Sequence, residues 1–209
     1  MMEKRFFLVR LNAVDLLTLS SVVLSSMAVV LVLSRQMWFA LSLLYLAMLA
    51  DALDGMLARR YGLVRDFGRY LDGFMDVLVY LVSPSILLFL NGMAGWPALV
   101  LPLFVASGCI RLAVFNEVGN IESGQGELAY LGMPVFWSLF VVASYELLRT
   151  LTHWFMVNNL MVLMLLAMSV LMQLRLPFFK FKKLSHILGI TLGSAIFFVW
   201  LGLKGSMGS

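Results

Sequence analysis

The sequence has little of what soluble folds and soluble catalysts draw on. Among 209 residues there are one cysteine, two histidines and five prolines, and only 12% of the chain is charged. The single cysteine, Cys109, sits inside an apolar run, which excludes a disulfide framework and a cysteine zinc site. His153 and His186 stand at the edges of apolar segments and read as interfacial rather than catalytic. No stretch joins basic residues to exposed aromatics as RNA readers do, so the net charge of +4 is not a nucleic-acid footprint. There is also no internal repeat, low-complexity tract or linker. Residues 1–203 therefore read as one domain, and Lys204-Gly-Ser-Met-Gly-Ser209 reads as an appended remnant outside it.

What fills the chain instead is apolar surface: 62% hydrophobic residues and a mean hydropathy of +0.98. That composition belongs to a membrane protein. Lipid cannot satisfy exposed backbone polar groups, so an apolar segment crosses it as a helix of about 20 residues. Seven stretches approach that length: Asp15–Leu33, Met37–Ala58, Phe67–Leu90, Ala94–Val118, Tyr130–Arg149, Trp154–Leu174 and His186–Leu203. The expected fold is an all-α integral membrane bundle of six to seven transmembrane helices. The last stretch is weakened by Gly189, Gly193 and Gly202, and an interfacial helix is the alternative there. The first is too long for a secretory signal core and lacks a small-residue cleavage site, so it reads as a retained helix.

Positive charge orients the bundle. Lys4, Arg5 and Arg10 precede the first helix; Arg59, Arg60, Arg65 and Arg69 join the second to the third; Arg175, Lys180, Lys182 and Lys183 join the sixth to the seventh. All three groups fall on one side, with only Arg35, Arg149 and Lys204 on the other. The positive-inside rule makes the first side, and the N-terminus, cytoplasmic. Asn116–Glu127 falls on that side as an acidic, glycine-containing loop (Gly119, Gly124, Gly126) that reads as a mobile connector.

The scarce charges are not scattered. Asp51 and Asp54 are three residues apart near the end of the second helix, and Asp72 and Asp76 four apart near the start of the third. Each spacing puts its pair on one helical face. A short arginine-rich connection makes the helices antiparallel neighbours, so four carboxylates can converge at one rim of the bundle. Ionised groups within a membrane helix cost a few kcal/mol each, and clustered carboxylates repel. Hard divalent cations, Mg²⁺ or Mn²⁺, resolve this by binding carboxylate and phosphate oxygens together. Gly55, Ala58 and Gly68 share those faces and leave room for a ligand, while Arg59 and Arg65 can pair with phosphate. Taken singly, such small residues serve helix packing. Four carboxylates with interleaved glycines are not explained that way.

The run Asp51-Ala-Leu-Asp54-Gly55-Met-Leu-Ala58-Arg59, followed by Gly68, Asp72 and Asp76, resembles the signature DxxDGxxARx8GxxxDxxxD of the CDP-alcohol phosphotransferase family. The resemblance implies transfer of a phosphatidyl group from CDP-diacylglycerol to a small alcohol, with release of CMP, near the cytoplasmic ends of helices two and three. It implies that Asp51, Asp54, Asp72 and Asp76 hold two divalent metals and that Asp76 is the general base. Gly55, Ala58, Arg59, Arg65 and Gly68 would line the CDP donor. Asp15-Leu-Leu-Thr18 resembles the family's Asn-x-x-Thr element, with Asp15 departing from the usual asparagine, so only Thr18 is carried over as a donor contact. A homodimer in a bacterial or archaeal cytoplasmic membrane is also implied.

Within the family the chain most resembles the phosphatidylserine synthases. Phe67–Asp76 with Ser83-Pro84-Ser85, Arg111-Leu-Ala-Val-Phe-Asn116, Gly132-Met-Pro134 and Leu176-Pro-Phe-Phe-Lys180 match their runs. Val114, Gly73 and Phe136 depart from the usual basic residue, serine and second proline. Serine, a zwitterion, needs one cation and one anion or dipole. Arg111 is the basic residue in mid-segment outside the signature, and it becomes the candidate acceptor contact with Asn116 and Pro134. Glycerol 3-phosphate, an inositol derivative or choline are the alternative acceptors. A cation or proton transporter built on the same aspartates is the alternative outside this class, but such folds carry inverted repeats and this chain shows none.

Overall fold

The computed structural model describes residues 8–122, 128–152, 154–179 and 183–207. Lys4, Arg5, Gly124, Gly126, Glu127, His153, Lys180 and Lys182 lie outside them. The described residues form seven helices: α1 (Ala13–Leu33), α2 (Met37–Arg60), α3 (Asp66–Leu90), α4 (Trp96–Val118), α5 (Trp137–Leu151), α6 (Trp154–Gln173) and α7 (Leu184–Met207). Six of them, all but α5, are long and apolar enough to cross a membrane. The chain is an all-α integral membrane protein.

Small residues make the tightest seam. On α1 the buried positions are Asp15, Thr18, Ser21, Ser25, Ala28 and Val32, steps of three and four that draw one stripe along the helix. The Ser21 and Ser25 hydroxyls donate to carbonyls within α1, Thr18 O at 2.6 Å and Val22 O at 3.0 Å, which satisfies them inside the seam. α2, which packs along α1, buries Ala40, Leu41, Leu44, Ala47 and Met48. Close backbone approach of this kind replaces the hydrophobic driving force that lipid does not supply. At the centre, Tyr45 packs edge-on to Phe140 and is stacked with Phe198, each centroid 5.6 Å away.

Two expectations about helix limits change. The seventh apolar stretch is a full helix of 24 residues despite its glycines. A Cβ on Gly202 would lie 2.8 Å from Phe39 Cζ, so that glycine lets α7 approach α2. The fifth stretch does not begin at Tyr130. Residues Leu128–Leu131 form a strand, β2, between β1 (Ile121–Glu122) and β3 (Pro177–Phe178), both antiparallel to it. Gly132, at φ 73°, then turns the chain, and a Cβ there would sit 2.6 Å from Met172 O at the end of α6. The helix starts only at Trp137, and its 15 residues span about 22 Å, short of the roughly 30 Å hydrocarbon core.

Inside α3, residues Val77–Val82 widen into a π-helical turn, with the Ser83 N–H reaching back five residues to Leu78 O. The extra residue rotates everything after Asp76 relative to the aspartates. Tyr80 thereby turns inward and is 2% exposed. Such π turns recur at functional sites.

Candidate active site

The signature residues meet where the C-terminal end of α2 passes the N-terminal half of α3. Asp51, Asp72 and Asp76 each present a carboxylate oxygen, all within 4.8 Å of one another. The Tyr80 hydroxyl donates to Asp51 Oδ2 at 2.5 Å. Asp54, one turn along α2, is 3% exposed and accepts a hydrogen bond from the Thr18 hydroxyl of α1. Three helices therefore contribute to one acidic centre. The donors around it are all oxygen, the set that hard divalent cations prefer. Its positive neighbours, Arg59 beside Asp54 and Asp72 and Arg111 beside Asp76, stand at its rim. The arrangement fits a divalent cation that also binds phosphate.

The remaining donor-side residues divide into two groups. Gly55 and Arg59 belong together, since a Cβ on Gly55 would lie 3.5 Å from Arg59 Nη1. Arg59 is exposed, and Ala58, one turn beyond Asp54 on α2, is half-buried. Arg65 and Gly68 are tied to α1. Its guanidinium pairs with Asp15, donates through Nη1 to Arg10 O at 3.1 Å and lies 5.0 Å from the Phe67 ring centroid. Asp15 also closes a capping box with Asn12, whose side chain accepts from Asp15 N at 2.8 Å. Gly68 packs against both partners, with a Cβ 3.6 Å from Arg65 Cγ and 3.8 Å from Asp15 Oδ1. The departure from asparagine at position 15 thus has a local reason: a carboxylate there binds Arg65 and ties the α2–α3 connection to the start of α1.

On the acceptor side, Arg111 of α4 is 5% exposed and sits between two aromatic rings, 4.9 Å from the Phe115 centroid and 5.5 Å from that of Tyr130. Its Nε and Nη2 are buried and have no hydrogen-bond partner. Buried guanidinium donors left unpaired are costly, and these two are open to a hydrogen-bond acceptor from outside the chain. Asn116 packs on Gly73, where a Cβ would lie 2.5 Å from Asn116 Nδ2. Glycine stands where the resembled run has serine because the amide fills that space. Pro134 is buried just before α5, and its carbonyl accepts from Trp137 N–H at 3.4 Å.

Two tyrosines complete the site without having been singled out from sequence. Tyr80 had a signal, a lone hydroxyl four residues after Asp76 in an apolar run, where a buried phenol needs a partner. Tyr130 had none, because its segment reads as the start of a span. Burial pushes its phenol above the ordinary value, opposed by the Arg111 guanidinium and reinforced by Asp51 and Asp76, so it stays protonated at neutral pH.

Known proteins carry related sequences. The family model described as CDP-alcohol phosphatidyltransferase matches residues 11–203. A CDP-diacylglycerol–serine O-phosphatidyltransferase of Methanocaldococcus jannaschii is 28% identical over 156 residues, covering 74% of this chain and 72% of its own. One of Helicobacter pylori is 30% identical over 178 residues, covering 81% and 73%. A phosphatidylcholine synthase of Pseudomonas aeruginosa is 28% identical over 197 residues, covering 90% and 75%. The match leaves no place for the transporter reading: from Leu11 to Leu203 the chain belongs to the CDP-alcohol phosphatidyltransferase family, an enzyme family of phospholipid synthesis.

Proposed function

We propose that the protein transfers the phosphatidyl group of CDP-diacylglycerol to the hydroxyl of L-serine and releases CMP. The observation that supports serine is Arg111, buried beside Asp76 with two N–H groups unpaired. A carboxylate on the acceptor satisfies them, which would bring the acceptor hydroxyl toward the acidic centre. Asp76 takes the hydroxyl proton as the oxygen attacks the β-phosphorus. The bond from that phosphorus to CMP breaks, and CMP leaves with the electron pair. Two divalent ions, Mg²⁺ or Mn²⁺, held by Asp51, Asp54, Asp72 and Asp76 supply neutralisation of the diphosphate and polarisation of the phosphoryl group. Thr18 holds Asp54 in place for this, and Gly55, Ala58 and Arg59 receive the cytidine diphosphate. Gly68 and Arg65 act on the donor from the α1 side.

Choline is the second reading, favoured by the relative that covers 90% of this chain. Against it, the aromatic faces of Phe115 and Tyr130 that a quaternary ammonium would use already hold the Arg111 guanidinium. The reading further takes residues 1–203 as one domain, the acidic end as cytoplasmic and the enzyme as a homodimer. The test is CMP release by purified protein with CDP-diacylglycerol, Mn²⁺ or Mg²⁺, and a panel of serine, glycerol 3-phosphate, inositol phosphate and choline. Serine alone should support turnover; turnover with another alcohol and none with serine ends the serine assignment.

A further inference from the structure

We infer that Tyr130 is a positioning residue for the acceptor, acting through Arg111, and that the small sheet is the device that places it. This rests on the reading of Arg111 as an acceptor contact. An arginine held only by a buried ion pair could swing toward the acidic centre and stay there, because Asp76 is its electrostatic neighbour. The two rings restrict it. Phe115, four residues along α4, takes one flank at 4.9 Å, and Tyr130 takes another at 5.5 Å. Phe115 and Tyr130 are themselves 5.8 Å apart and tilted by 57°, and Phe136 supports Tyr130 at 6.3 Å. The guanidinium is therefore seated in an aromatic corner while Nε and Nη2 remain without protein acceptors.

Tyr130 reaches this corner because of backbone pairing, not because of a helix. Its strand pairs with β3 in the register Tyr130↔Phe178 and Leu131↔Pro177, and with β1 through Ile121↔Ala129. Beyond the strand, Gly132 N–H donates to Leu176 O at 2.9 Å and Met133 N–H to Leu171 O at 3.1 Å. The segment after α4 is thus strapped to the end of α6, and the strap carries one aromatic side chain to the arginine. A cation seated on aromatic faces keeps its in-plane N–H groups free for a planar anion. The class of acceptor this corner selects is an alcohol bearing a carboxylate or other oxyanion; a cationic alcohol finds its aromatic surface occupied.

The test is a double-mutant cycle on acceptor KM, read by CMP release with whichever acceptor the enzyme turns over. Tyr130→Leu should raise acceptor KM about tenfold and leave the KM for CDP-diacylglycerol within about twofold. Tyr130→Phe, which keeps the ring, should raise acceptor KM less than Tyr130→Leu does; an equal or larger rise would overturn the inference. In an Arg111→Gln background, Tyr130→Leu should add nothing, since the two side chains work as one unit. The unchanged donor KM also reports an intact fold, and Tyr130→Met serves if the leucine variant does not fold. Effects that multiply independently, or a donor KM that rises in step, would overturn the inference. So would an acceptor with no anionic group. Failure of serine alone, with glycerol 3-phosphate turned over and the coupling intact, would remove the serine assignment and leave Tyr130 in its role.

Discussion

The two ends of the bundle bury charge in opposite ways. At the end away from the acidic centre, Glu146 of α5 is 5% exposed and faces Arg149 at 3.7 Å, one turn along the same helix. Arg149 donates to Asn91 O after α3 and lies 5.5 Å from the Tyr145 ring centroid. The Tyr145 hydroxyl donates to Asn158 Oδ1 at 2.6 Å, and Asn158 Nδ2 donates to Gly92 O at 3.1 Å. Glu146 Oε1 has no hydrogen-bond partner, but the acid faces its base, and base, amide and backbone close on each other and tie α3, α5 and α6 together. At the other end three carboxylates crowd within 4.8 Å with one phenol as hydrogen-bond donor, and a buried arginine nearby keeps two N–H groups unpaired. A buried charge with its partner inside the chain is architecture. A buried charge without one marks the place where something else binds.

The comparison can be broken by exchanging what each end should tolerate. Asp72→Asn or Asp76→Asn removes a carboxylate from the open cluster and should lower the rate of CMP release by about a thousandfold or more. The fold should survive, because removing a like charge relieves repulsion; a thermal melt in detergent equal to or above that of wild type checks this. Next in size is the metal itself. EDTA should abolish turnover and Mn²⁺ or Mg²⁺ restore it, and a saturating ion at about 100 times its dissociation constant should stabilise the protein by about 2.7 kcal/mol. A melt that ignores added Mn²⁺ would contradict the open end's description.

At the closed end the sign reverses. Arg149→Leu leaves Glu146 buried without its cation and should cost about 1–3 kcal/mol of stability, read as a lower melting temperature. The kcat/KM of the folded fraction should stay near wild type. The smallest effect belongs to Tyr80→Phe, which deletes one hydrogen bond to Asp51. A loss of roughly 1 kcal/mol corresponds to about a fivefold fall in kcat, with little change in stability. A larger fall would mean that Tyr80 touches substrate.

How much of this was legible in the sequence follows the range of the interactions. The limits of α1 and α2 depend on local hydropathy and came within two residues of expectation. The face-sharing of Asp72 with Asp76, and of Asp51 with Asp54, depends on helical period alone. Other features depend on partners far along the chain. The closest carboxylate group draws only Asp51 from its helix, because Thr18, 36 residues earlier, holds Asp54. Arg65 reads as a donor contact from its charge and the family resemblance, but its pairing with Asp15, 50 residues away, is written in no local pattern. Tyr130–Phe136 is apolar enough for a span, yet strand pairing to Pro177–Phe178 and the positive φ of Gly132 override that local preference. The π turn at Val77–Val82 is written in no local motif, and without it the inward position of Tyr80 does not follow.

The account stands most directly on one assay: CMP release from CDP-diacylglycerol and serine, compared with and without Mn²⁺, in wild type and in Asp72→Asn. It predicts turnover only in the wild type and only with the ion. Metal-independent CMP release, or an Asp72→Asn variant that retains the wild-type rate, would contradict it.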